Sequence, residues 1–337
     1  MSGLRGAVIG CGFFAQNHLK AWRDVEGARI VAVCDLDPAR AEAAAALTGA
    51  RAHSDAASMF AEEKPDFVDI ATTMEIHEPL ARLAARHDVA VICQKPFAPD
   101  IETVRRILGF TRRPIMVHEN FRFQRPLIEL ERHVRAGAVG TPFFAHISWR
   151  TGYDVVAGQP YLAEVERFII LDLGIHLLDV ARFLLGDVAD IHCRTRRTMP
   201  GAKGEASAVL SLRHLSGAVS QIVCSYTTRI EPDPFPQTLI ELEGDRGSLH
   251  LRHDYRLEHH ERGRMTVHDV APRPPAWADP QWALVQESVL NTQQHWIDCL
   301  RSGREPQTSG ADNLKTFALV EAAYASAASG RAEVPEA

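Results

Sequence analysis

The stretch VIGCGFFAQNHLKAW, residues 8–22, joins the end of an apolar strand to the start of a helix through a turn that contains two glycines. Gly10, Gly12 and Ala15 occupy the three fixed positions of the pattern G-x-G-x-x-A. The glycines permit a tight turn and a close approach of a ligand to the backbone, and the N-terminus of the following helix attracts phosphate. This strand–turn–helix context predicts a dinucleotide-binding βαβ unit.

An acidic residue at the end of the next strand supports this prediction. Asp35 follows the apolar run ARIVAVC and lies about 20 residues after Ala15, the spacing at which a carboxylate reaches the adenosine ribose hydroxyls. The carboxylate favours NAD over NADP, because the 2′-phosphate of NADP would meet its negative charge, although Arg40 lies nearby and leaves this preference open. The alternative interpretation is an ordinary turn and a helix cap. We expect NAD to bind the following residues of this unit: Gly10, Gly12, Phe13, Phe14, Ala15 and Asp35.

Short runs rich in Val and Ile alternate with helical stretches through the first 120 residues. The predicted strands are RGAVIG, ARIVAVCD, FVDIAT, VAVICQK and IMVHENF, and the predicted helices are 13–25, 38–48, 76–87 and 99–112. Runs of this kind are typical of strands buried on both faces, and the alternation indicates right-handed crossovers. The sequence therefore predicts an α/β protein with an N-terminal Rossmann domain, a doubly wound parallel sheet, over residues 1–121.

The pattern changes after about residue 140, where longer and partly alternating runs are joined by turns that contain glycine. Helices are predicted near 174–186 and at 312–329. The remaining runs indicate a large, mostly antiparallel open sheet with one face covered. We therefore predict a C-terminal α+β domain over residues 122–337 that binds substrate and mediates oligomerisation.

Composition excludes several classes of protein. The 337 residues are 46% apolar and 24% charged, with a net charge of −6, so no basic surface for nucleic acid or anionic lipid is expected. No apolar run is long enough to span a bilayer. The six cysteines are scattered without a C-x-x-C pair, which is typical of reduced, buried thiols. We expect a cytoplasmic protein with neither a nucleic-acid nor a membrane partner.

A lysine ends the apolar run VAVICQ, at the carboxyl edge of the predicted parallel sheet where ligands of this fold bind. Lys95 can donate to a substrate hydroxyl and hold a positive charge near the reacting carbon. The alternative is a lysine that reaches from a strand end into water. Pro96 favours the functional interpretation, because it fixes the turn that follows Lys95.

A second polar group lies in the segment DLGIHLLDV. Asp172, His176 and Asp179 are spaced i, i+4 and i+7, which brings them onto one face of a helix that already includes Asp172. In one interpretation His176 is a general base and Asp172 orients the substrate or the imidazole. In another the three bind a divalent metal, but no second histidine cluster accompanies them. In a third His176 is a core residue. We favour catalysis, expect no metal, and assign Asp179 to structure.

Seven segments resemble the family of glucose–fructose oxidoreductase, inositol dehydrogenase and rhizopine-catabolism dehydrogenases, over nearly the whole chain. They are VIGCGFFAQNH, CDLDPARAEAAA, IATTMEIHEPLA, CQKPFAPD, NFRFQRPL, LDLGIHLLDVARFLLG and SGADNLKTFALVEAAYASAASG. The resemblance implies a nicotinamide cofactor in the Rossmann domain and oxidation or reduction of a sugar or polyol over the second sheet. It also implies face-to-face dimers, often paired into tetramers, through the C-terminal sheet.

The resemblance extends to individual site residues. It implies that Lys95 anchors and polarises the reacting hydroxyl, that His176 takes its proton, and that Asp172 fixes the geometry. The cofactor-binding residues would further include Thr72, His77, Gln94 and Lys95. The substrate-binding residues would be Lys95, Asn120, Arg122, Tyr161, Arg167, Asp172 and His176, although packing is the simpler role for Tyr161.

Two positions depart from the family pattern. Gln94 replaces the glutamate of the usual Glu-Lys-Pro motif, which removes a negative charge beside Lys95 but keeps a group that accepts and donates hydrogen bonds. Thr73 stands where a proline is frequent. Neither change removes a group needed for hydride transfer.

The expected activity is NAD-dependent oxidation of a small polyhydroxylated substrate, either an aldose to a lactone or a cyclic polyol to a ketone. The segments CQKPF, NFRFQRP and ERFII resemble most the branch of the family that oxidises pentoses such as apiose. One alternative is a keto-sugar reductase that uses NADPH. Another is a non-catalytic regulator of the same fold that senses a dinucleotide or a sugar, which is disfavoured because both Lys95 and His176 are present.

Overall fold

A computed structural model describes residues 3–337, which form two compact units. The first unit contains residues 3–120 and Ser288–Leu314, and the second contains Phe121–Glu287 and Lys315–Ala337. The chain therefore passes from one unit to the other three times, after Asn120, after Glu287 and after Leu314.

The first unit is built on a six-stranded sheet in which every neighbouring pair is parallel. Its strands are β1 Leu4–Ile9, β2 Ala28–Cys34, β3 Arg51–His53, β4 Phe67–Ile70, β5 Ala90–Gln94 and β6 Ile115–His118, in the order β3-β2-β1-β4-β5-β6. Its helices are α1 Ala15–Ala21, α2 Pro38–Thr48, α3 Ala56–Glu63, α4 His77–Arg86 and α5 Ile101–Phe110. Strands β4, β5 and β6 are buried throughout, as apolar runs covered on both faces require. The predicted doubly wound sheet is confirmed.

Short acidic residues fix where three of these helices begin. The side chains of Asp37, Asp55 and Asp100 accept hydrogen bonds from backbone N–H groups in the first turns of α2, α3 and α5. Such N-caps satisfy donors that have no partner within the helix. In α2, Pro38 follows the cap at a position where its missing N–H costs little.

The second unit contains an eight-stranded sheet in which only the β7–β10 pair is parallel. Its strands are β7 Pro142–Arg150, β8 Val188–Arg196, β9 Ser207–His214, β10 Val219–Ser225, β11 Leu239–Gly244, β12 Gly247–Arg252, β13 Arg256–Glu261 and β14 Arg264–Asp269, in the order β14-β13-β12-β11-β7-β10-β9-β8. Its helices are α6 Arg125–Arg135, α7 Val155–Gly158 and α8 Ile175–Leu185, and a π-helical turn, Ile170–Gly174, precedes α8. Residues alternate between buried and exposed along β9, so one face of the sheet is covered and the other is open. The predicted open, mostly antiparallel sheet is confirmed.

Two long helices complete the chain, α9 Ala283–Ser302 and α10 Gly310–Ser329. Helix α9 is not predicted from the sequence, and the domain predicted over residues 122–337 includes Ser288–Leu314, which belongs to the first unit. The reason lies in polar contacts that no local pattern reveals. Asn120 Nδ2 donates to Ser288 Oγ at 2.6 Å, and Thr308 Oγ1 donates to the carbonyl of Val117 at 2.7 Å.

All six cysteines are free and buried, as their scattered spacing predicts. Burial raises the pKa of the Cys34 thiol to about 11, with the nearby carboxylates of Asp55 and Asp35 acting in the same direction. These thiols therefore behave as small apolar side chains.

We expect His214 to make the stability of the second unit sensitive to acid. Its Nδ1 lies 2.8 Å from the carbonyl oxygen of Gly186 and its Nε2 lies 2.9 Å from Ser220 Oγ, so a neutral ring is satisfied on both nitrogens. Burial lowers the pKa of His214 from its usual value of 6.5. Between the lowered value and 6.5 the unfolded chain holds more protons than the native chain. Stability contributed by this histidine is therefore present above pH 6.5 and is lost as the pH falls below it.

We expect the free energy of unfolding to fall on acidification from about pH 7.5 to about pH 5.5, with His214 contributing at most about 1.4 kcal/mol per pH unit. Urea unfolding at the two pH values measures this slope. The variant His214→Asn should be less stable but should show a shallower dependence on pH. An identical slope in wild type and variant would contradict the assignment.

Candidate active site

The glycine loop after β1 has the form that a dinucleotide phosphate requires. Gly10 has a φ of +95°, and a Cβ atom there would lie 2.6 Å from the carbonyl oxygen of Ala71, so only glycine fits. A Cβ atom at Gly12 would meet nothing within 4 Å. The space above Gly12 is therefore open, and the N-terminus of α1 follows at Ala15. Backbone donors and room for an anion occur together, as a bound pyrophosphate needs.

The carboxylate of Asp35 is fixed against this loop. Its Oδ2 accepts from the Cys11 N–H at 2.7 Å, and its Oδ1 accepts from the Asp37 N–H at 2.9 Å. The side chain is half-buried and each oxygen retains acceptor capacity for a ribose hydroxyl. Together with the open space above Gly12, this donor and acceptor set fits NAD.

His77 contacts the protein backbone on both ring nitrogens. Nδ1 lies 3.1 Å from the carbonyl oxygen of Phe97, and Nε2 lies 3.2 Å from that of Thr72. The side chain is fully buried, and burial lowers the pKa of His77 although both carbonyls act in the opposite direction. His77 thus ties the loop after β4 to the loop after β5. Its predicted contact with the cofactor remains a prediction, as does that of Thr72.

Gln94 ends β5 and Lys95 is the first residue beyond it, at the carboxyl edge of the parallel sheet. The side chain of Gln94 is buried and Lys95 is half-buried. Gln94 Oε1 accepts from the backbone N–H of Lys95 at 2.7 Å. The position that the sequence predicts for Lys95 within the first unit is therefore observed.

In the second unit Asp172 and His176 lie on one continuous helical segment. Asp172 is in the π-helical turn and His176 is in the first turn of α8. The imidazole of His176 is 5% exposed and stacks on Phe121, with ring centroids 4.1 Å apart and an interplanar angle of 5°. The stack fixes the plane of the imidazole, which a proton acceptor needs for alignment.

Tyr226 contacts Asp172, a predicted site residue, and the sequence does not single it out. It follows β10 directly, and its hydroxyl donates to Asp172 Oδ2 at 2.7 Å. Burial raises the pKa of Tyr226 well above its usual value, and the charge of Asp172 acts in the same direction, so the phenol stays a donor. The only local signal is a tyrosine immediately beyond a strand end.

We expect Tyr226→Phe to lower kcat about tenfold, because it leaves an oxygen of Asp172, a predicted catalytic residue, without its buried donor. The fold should be largely retained, since the ring and its edge-to-face contact with Trp149 remain. Steady-state kinetics and thermal unfolding measured on the same preparation separate the two effects. Unchanged kcat would show that the hydroxyl does not orient Asp172.

Arg122 and Asp179 form a buried ion pair. The Nε and Nη2 atoms of Arg122 lie 2.5 Å and 2.7 Å from the two carboxylate oxygens of Asp179, and Thr316 Oγ1 donates to the same carboxylate at 2.8 Å. Asp179 is fully buried. This burial and pairing are typical of the structural role predicted for Asp179, which stays a prediction, and a metal held by Asp172, His176 and Asp179 would have to displace a guanidinium. The substrate role predicted for Arg122, and that for Asn120, whose amide donates to Ser288, remain predictions.

Arg167 and Tyr161 also have protein partners. Arg167 Nη2 lies 2.8 Å from Glu321 Oε1, and the guanidinium lies 4.3 Å from the centre of the Tyr324 ring. The side chain of Tyr161 is 53% exposed and its hydroxyl donates to Gln159 Oε1 at 3.0 Å. Their predicted part in hydroxyl binding is not tested by these contacts.

Within residues 3–337, two groups of side chains have the spacing of metal ligands, and neither includes Asp172 or His176. They are His250–Glu258–His260 and His53–Glu62–Glu63. Each group already has an arginine partner, Arg252 beside Glu258 at 3.3 Å and Arg51 beside Glu63 at 2.6 Å. In the same range no helix is both long and apolar enough to cross a membrane.

Comparison with known proteins agrees with this geometry. Residues 4–114 match an oxidoreductase family with an NAD-binding Rossmann fold, and residues 127–250 match the C-terminal domain of the Gfo/Idh/MocA proteins. The chain is 51% identical over 335 residues to a D-apiose dehydrogenase from Rhizobium rhizogenes, an alignment that covers 98% of this chain and 97% of the relative. The chain belongs to the Gfo/Idh/MocA oxidoreductase family. The family resemblance and the NAD-binding domain predicted from the sequence are thereby confirmed.

Two further members of the family are similar over nearly the full length. A D-apiose dehydrogenase from Paraburkholderia graminis is 52% identical over 331 residues, which is 97% of this chain and 88% of the relative. An oxidoreductase from Agrobacterium radiobacter, solved in complex with NAD+, L-tartaric acid and magnesium, is 51% identical, covers 98% of both chains and has a TM-score of 0.96.

Proposed function

We propose that this member of the Gfo/Idh/MocA family oxidises D-apiose, or a closely related aldose, at its anomeric carbon to a lactone, with NAD+ as the acceptor. The observation that carries the proposal is the identity of 51% and 52% with two relatives named D-apiose dehydrogenase, over 98% and 97% of this chain. The NAD fit of the glycine loop and Asp35 supports the cofactor.

Each proposed catalytic residue has one role. NAD+, when bound, supplies a two-electron acceptor that takes a hydride from the substrate carbon. Lys95 donates a hydrogen bond to the reacting hydroxyl oxygen and stabilises the negative charge that grows on it. His176 takes the hydroxyl proton as the carbon–oxygen double bond forms.

Asp172 is proposed to orient the substrate or the imidazole of His176. The Tyr226 hydroxyl donates to Oδ2 of its carboxylate, which limits rotation of the carboxylate group. The stack on Phe121 limits rotation of the His176 ring. Both contacts reduce the reorganisation needed at the moment of reaction.

The experiment is a panel of D-apiose, other pentoses, hexoses and inositols, each with NAD+ and with NADP+, read by the absorbance of the reduced nicotinamide. We expect D-apiose with NAD+ to give the highest kcat/KM. Activity only with an inositol would contradict the aldose assignment. Activity only in a parallel assay of keto sugars, in which NADPH is consumed, would favour the keto-sugar reductase. Absence of turnover in both assays with dinucleotide binding retained would favour a regulator.

Cofactor preference gives a specific prediction for Asp35. NAD+ should be preferred over NADP+ by at least about 100-fold in kcat/KM, because a 2′-phosphate beside the carboxylate costs several kcal/mol. Asp35→Ser should bring the two cofactors within about tenfold of each other, and serine still offers an oxygen to the Cys11 N–H. Unchanged preference in the variant would show that Asp35 does not face the adenosine ribose.

The open face of the second sheet supports a homodimer or homotetramer. Val209, Val219, Met265 and Val267 share this face by strand register and are 41–53% exposed. A broad sheet face with exposed apolar side chains is typical of an interface between subunits. Light scattering coupled to size-exclusion chromatography should give a mass of two or four chains, and a monomer would contradict this assignment.

A further inference from the structure

A chain of buried hydrogen bonds ends at the backbone of Lys95. We propose that His18 is a positioning residue for Lys95 and that it acts through the side chain of Gln94. The proposal rests on the proposed function, because it takes Lys95 as the group that holds the reacting hydroxyl.

Four residues of the first unit form the chain. The Lys95 N–H donates to Gln94 Oε1 at 2.7 Å, and Gln94 Nε2 lies 3.2 Å from His18 Nε2. His18 Nδ1 in turn lies 2.8 Å from Asp69 Oδ2, which also accepts from Trp22 Nε1 at 2.7 Å. His18 and Asp69 are fully buried and Gln94 is 8% exposed, so water does not compete effectively for these bonds.

The Lys95 N–H determines which atom donates and which accepts in each of these hydrogen bonds. A backbone N–H can only donate, so the atom of Gln94 that faces Lys95 must be the carbonyl oxygen. The amide nitrogen then faces His18 and donates, so His18 Nε2 accepts. The ring proton of the neutral imidazole must therefore be on Nδ1, where it is donated to Asp69. Asp69 selects the tautomer of His18, and His18 selects the orientation of the Gln94 amide.

The amide orientation matters because Lys95 lies just beyond the end of β5. If the Gln94 amide rotated by half a turn, its NH2 group would face the Lys95 N–H, and two donors would oppose each other. The acceptor at His18 Nε2 disfavours the same rotation from the other end of the amide, because the rotated carbonyl oxygen would face a second acceptor. His18 therefore reinforces the amide orientation that holds the Lys95 backbone.

His18 also connects two parts of the proposed cofactor site. It lies on α1, the helix that begins at Ala15 after the glycine loop, and its partner Gln94 lies on β5. Asp69 lies on β4, which is between β1 and β5 in the sheet order. The loop that receives the pyrophosphate and the strand end that carries Lys95 are thus joined through a single imidazole.

Two substitutions at His18 each remove one of its two hydrogen bonds and keep the other. Asparagine reaches the Nδ1 position, so His18→Asn keeps the bond to Asp69 and loses the acceptor for Gln94. Glutamine reaches the Nε2 position, so His18→Gln keeps an acceptor for Gln94 and loses the bond to Asp69. We expect His18→Gln to retain kcat within about threefold and His18→Asn to lose about tenfold, the usual effect of leaving one buried donor unpaired. A residue that only stabilises the buried Asp69 would give the opposite order.

Hydrogen exchange of the Lys95 amide gives a readout that does not depend on turnover. The amide should be protected in wild type and in His18→Gln and should exchange about tenfold faster in His18→Asn. The positioning role is overturned if His18→Asn equals or exceeds His18→Gln in both kcat and protection.

If either His18 variant fails to fold, Gln94→Met replaces both, because methionine fills the same volume without hydrogen bonds. It should expose the Lys95 amide to exchange and lower kcat about tenfold. Full protection of that amide in Gln94→Met would overturn the proposal. Where the His18 variants fold, His18→Asn should cause no further loss in the Gln94→Met background, and an additive loss would overturn a route through Gln94.

Lys95→Met separates this proposal from the proposed function. If that variant keeps full turnover with D-apiose and NAD+, the catalytic role of Lys95 is wrong, whatever the exchange data show. If it is inactive while the order of the two His18 variants is reversed, only the positioning role is wrong.

Discussion

Lys95→Met is expected to lower kcat with D-apiose and NAD+ by about 10³-fold, because a fixed cation at a developing oxyanion contributes far more in the transition state than in the ground state. Methionine keeps most of the length of the side chain and removes only the charge and the donors. The bond from the Lys95 N–H to Gln94 is retained, because it involves the backbone, and the KM for NAD+ reports whether the lysine side chain also binds the cofactor. Steady-state kinetics with each substrate varied in turn measure both parameters.

Lys203→Met is the matched control for this loss of a positive charge. Lys203 is exposed and pairs with Glu164 at 2.7 Å on the surface of the second unit. Its replacement should leave kcat within about twofold of wild type, as is usual for surface ion pairs. A Lys95→Met enzyme that also remains within twofold would remove Lys95 from the mechanism.

His176→Ala is expected to lower kcat by about 10³-fold, within the range lost when a general base is removed. The substitution leaves a space beside Phe121, on which the imidazole normally stacks. Added imidazole should enter that space and restore part of the rate in proportion to its concentration. The same additive should not restore Lys95→Met, since imidazole does not replace a lysine cation.

His192→Ala is the control for effects of losing a histidine on stability. His192 lies on β8 with its Nε2 3.4 Å from the carbonyl oxygen of Gly330, and it has no assigned role in catalysis. It should retain wild-type turnover and show no response to imidazole. The general-base assignment is wrong if His176→Ala keeps the kcat of wild type. It is also wrong if the variant loses kcat, imidazole does not restore it, and the variant unfolds at a lower temperature than wild type.

The sequence predicts those parts of the site whose determinants are close together along the chain. Gly10, Gly12 and Asp35 belong to one βαβ unit, and their spacing alone indicates a dinucleotide site that the observed backbone fits. Strand ends are equally local, so Gln94 and Lys95 are found where the parallel sheet requires them. The parallel sheet and the mostly antiparallel sheet are likewise predicted from the length of the strands and the alternation of apolar and polar residues along them.

The residues that support the site are not predictable in this way, because their partners are distant in sequence. Tyr226 and Asp172 are separated by 54 positions, and His18 and Gln94 by 76. His18 itself looks like any residue on the buried side of an amphipathic helix. Its role becomes visible only when β4 and β5 are placed beside α1.

Helix α9 was missed for a related reason. Gln286, Ser288, Thr292 and Gln293 are all at most 5% exposed, so polar residues occupy its buried positions. A search for an apolar stripe therefore finds no clear period there. The hydrogen bonds from Asn120 to Ser288 and from Thr308 to Val117 explain why Ser288–Leu314 belongs to the first unit.

The central claim is that a hydride leaves the anomeric carbon of an aldose for NAD+. The most direct measurement is turnover of D-apiose that carries deuterium only at that carbon, with the reduced dinucleotide and the sugar product analysed by mass spectrometry. We expect one deuterium in the reduced dinucleotide, none in the lactone, and a slower rate than with unlabelled sugar. Reduced dinucleotide without deuterium, or a product that keeps the label, would contradict it.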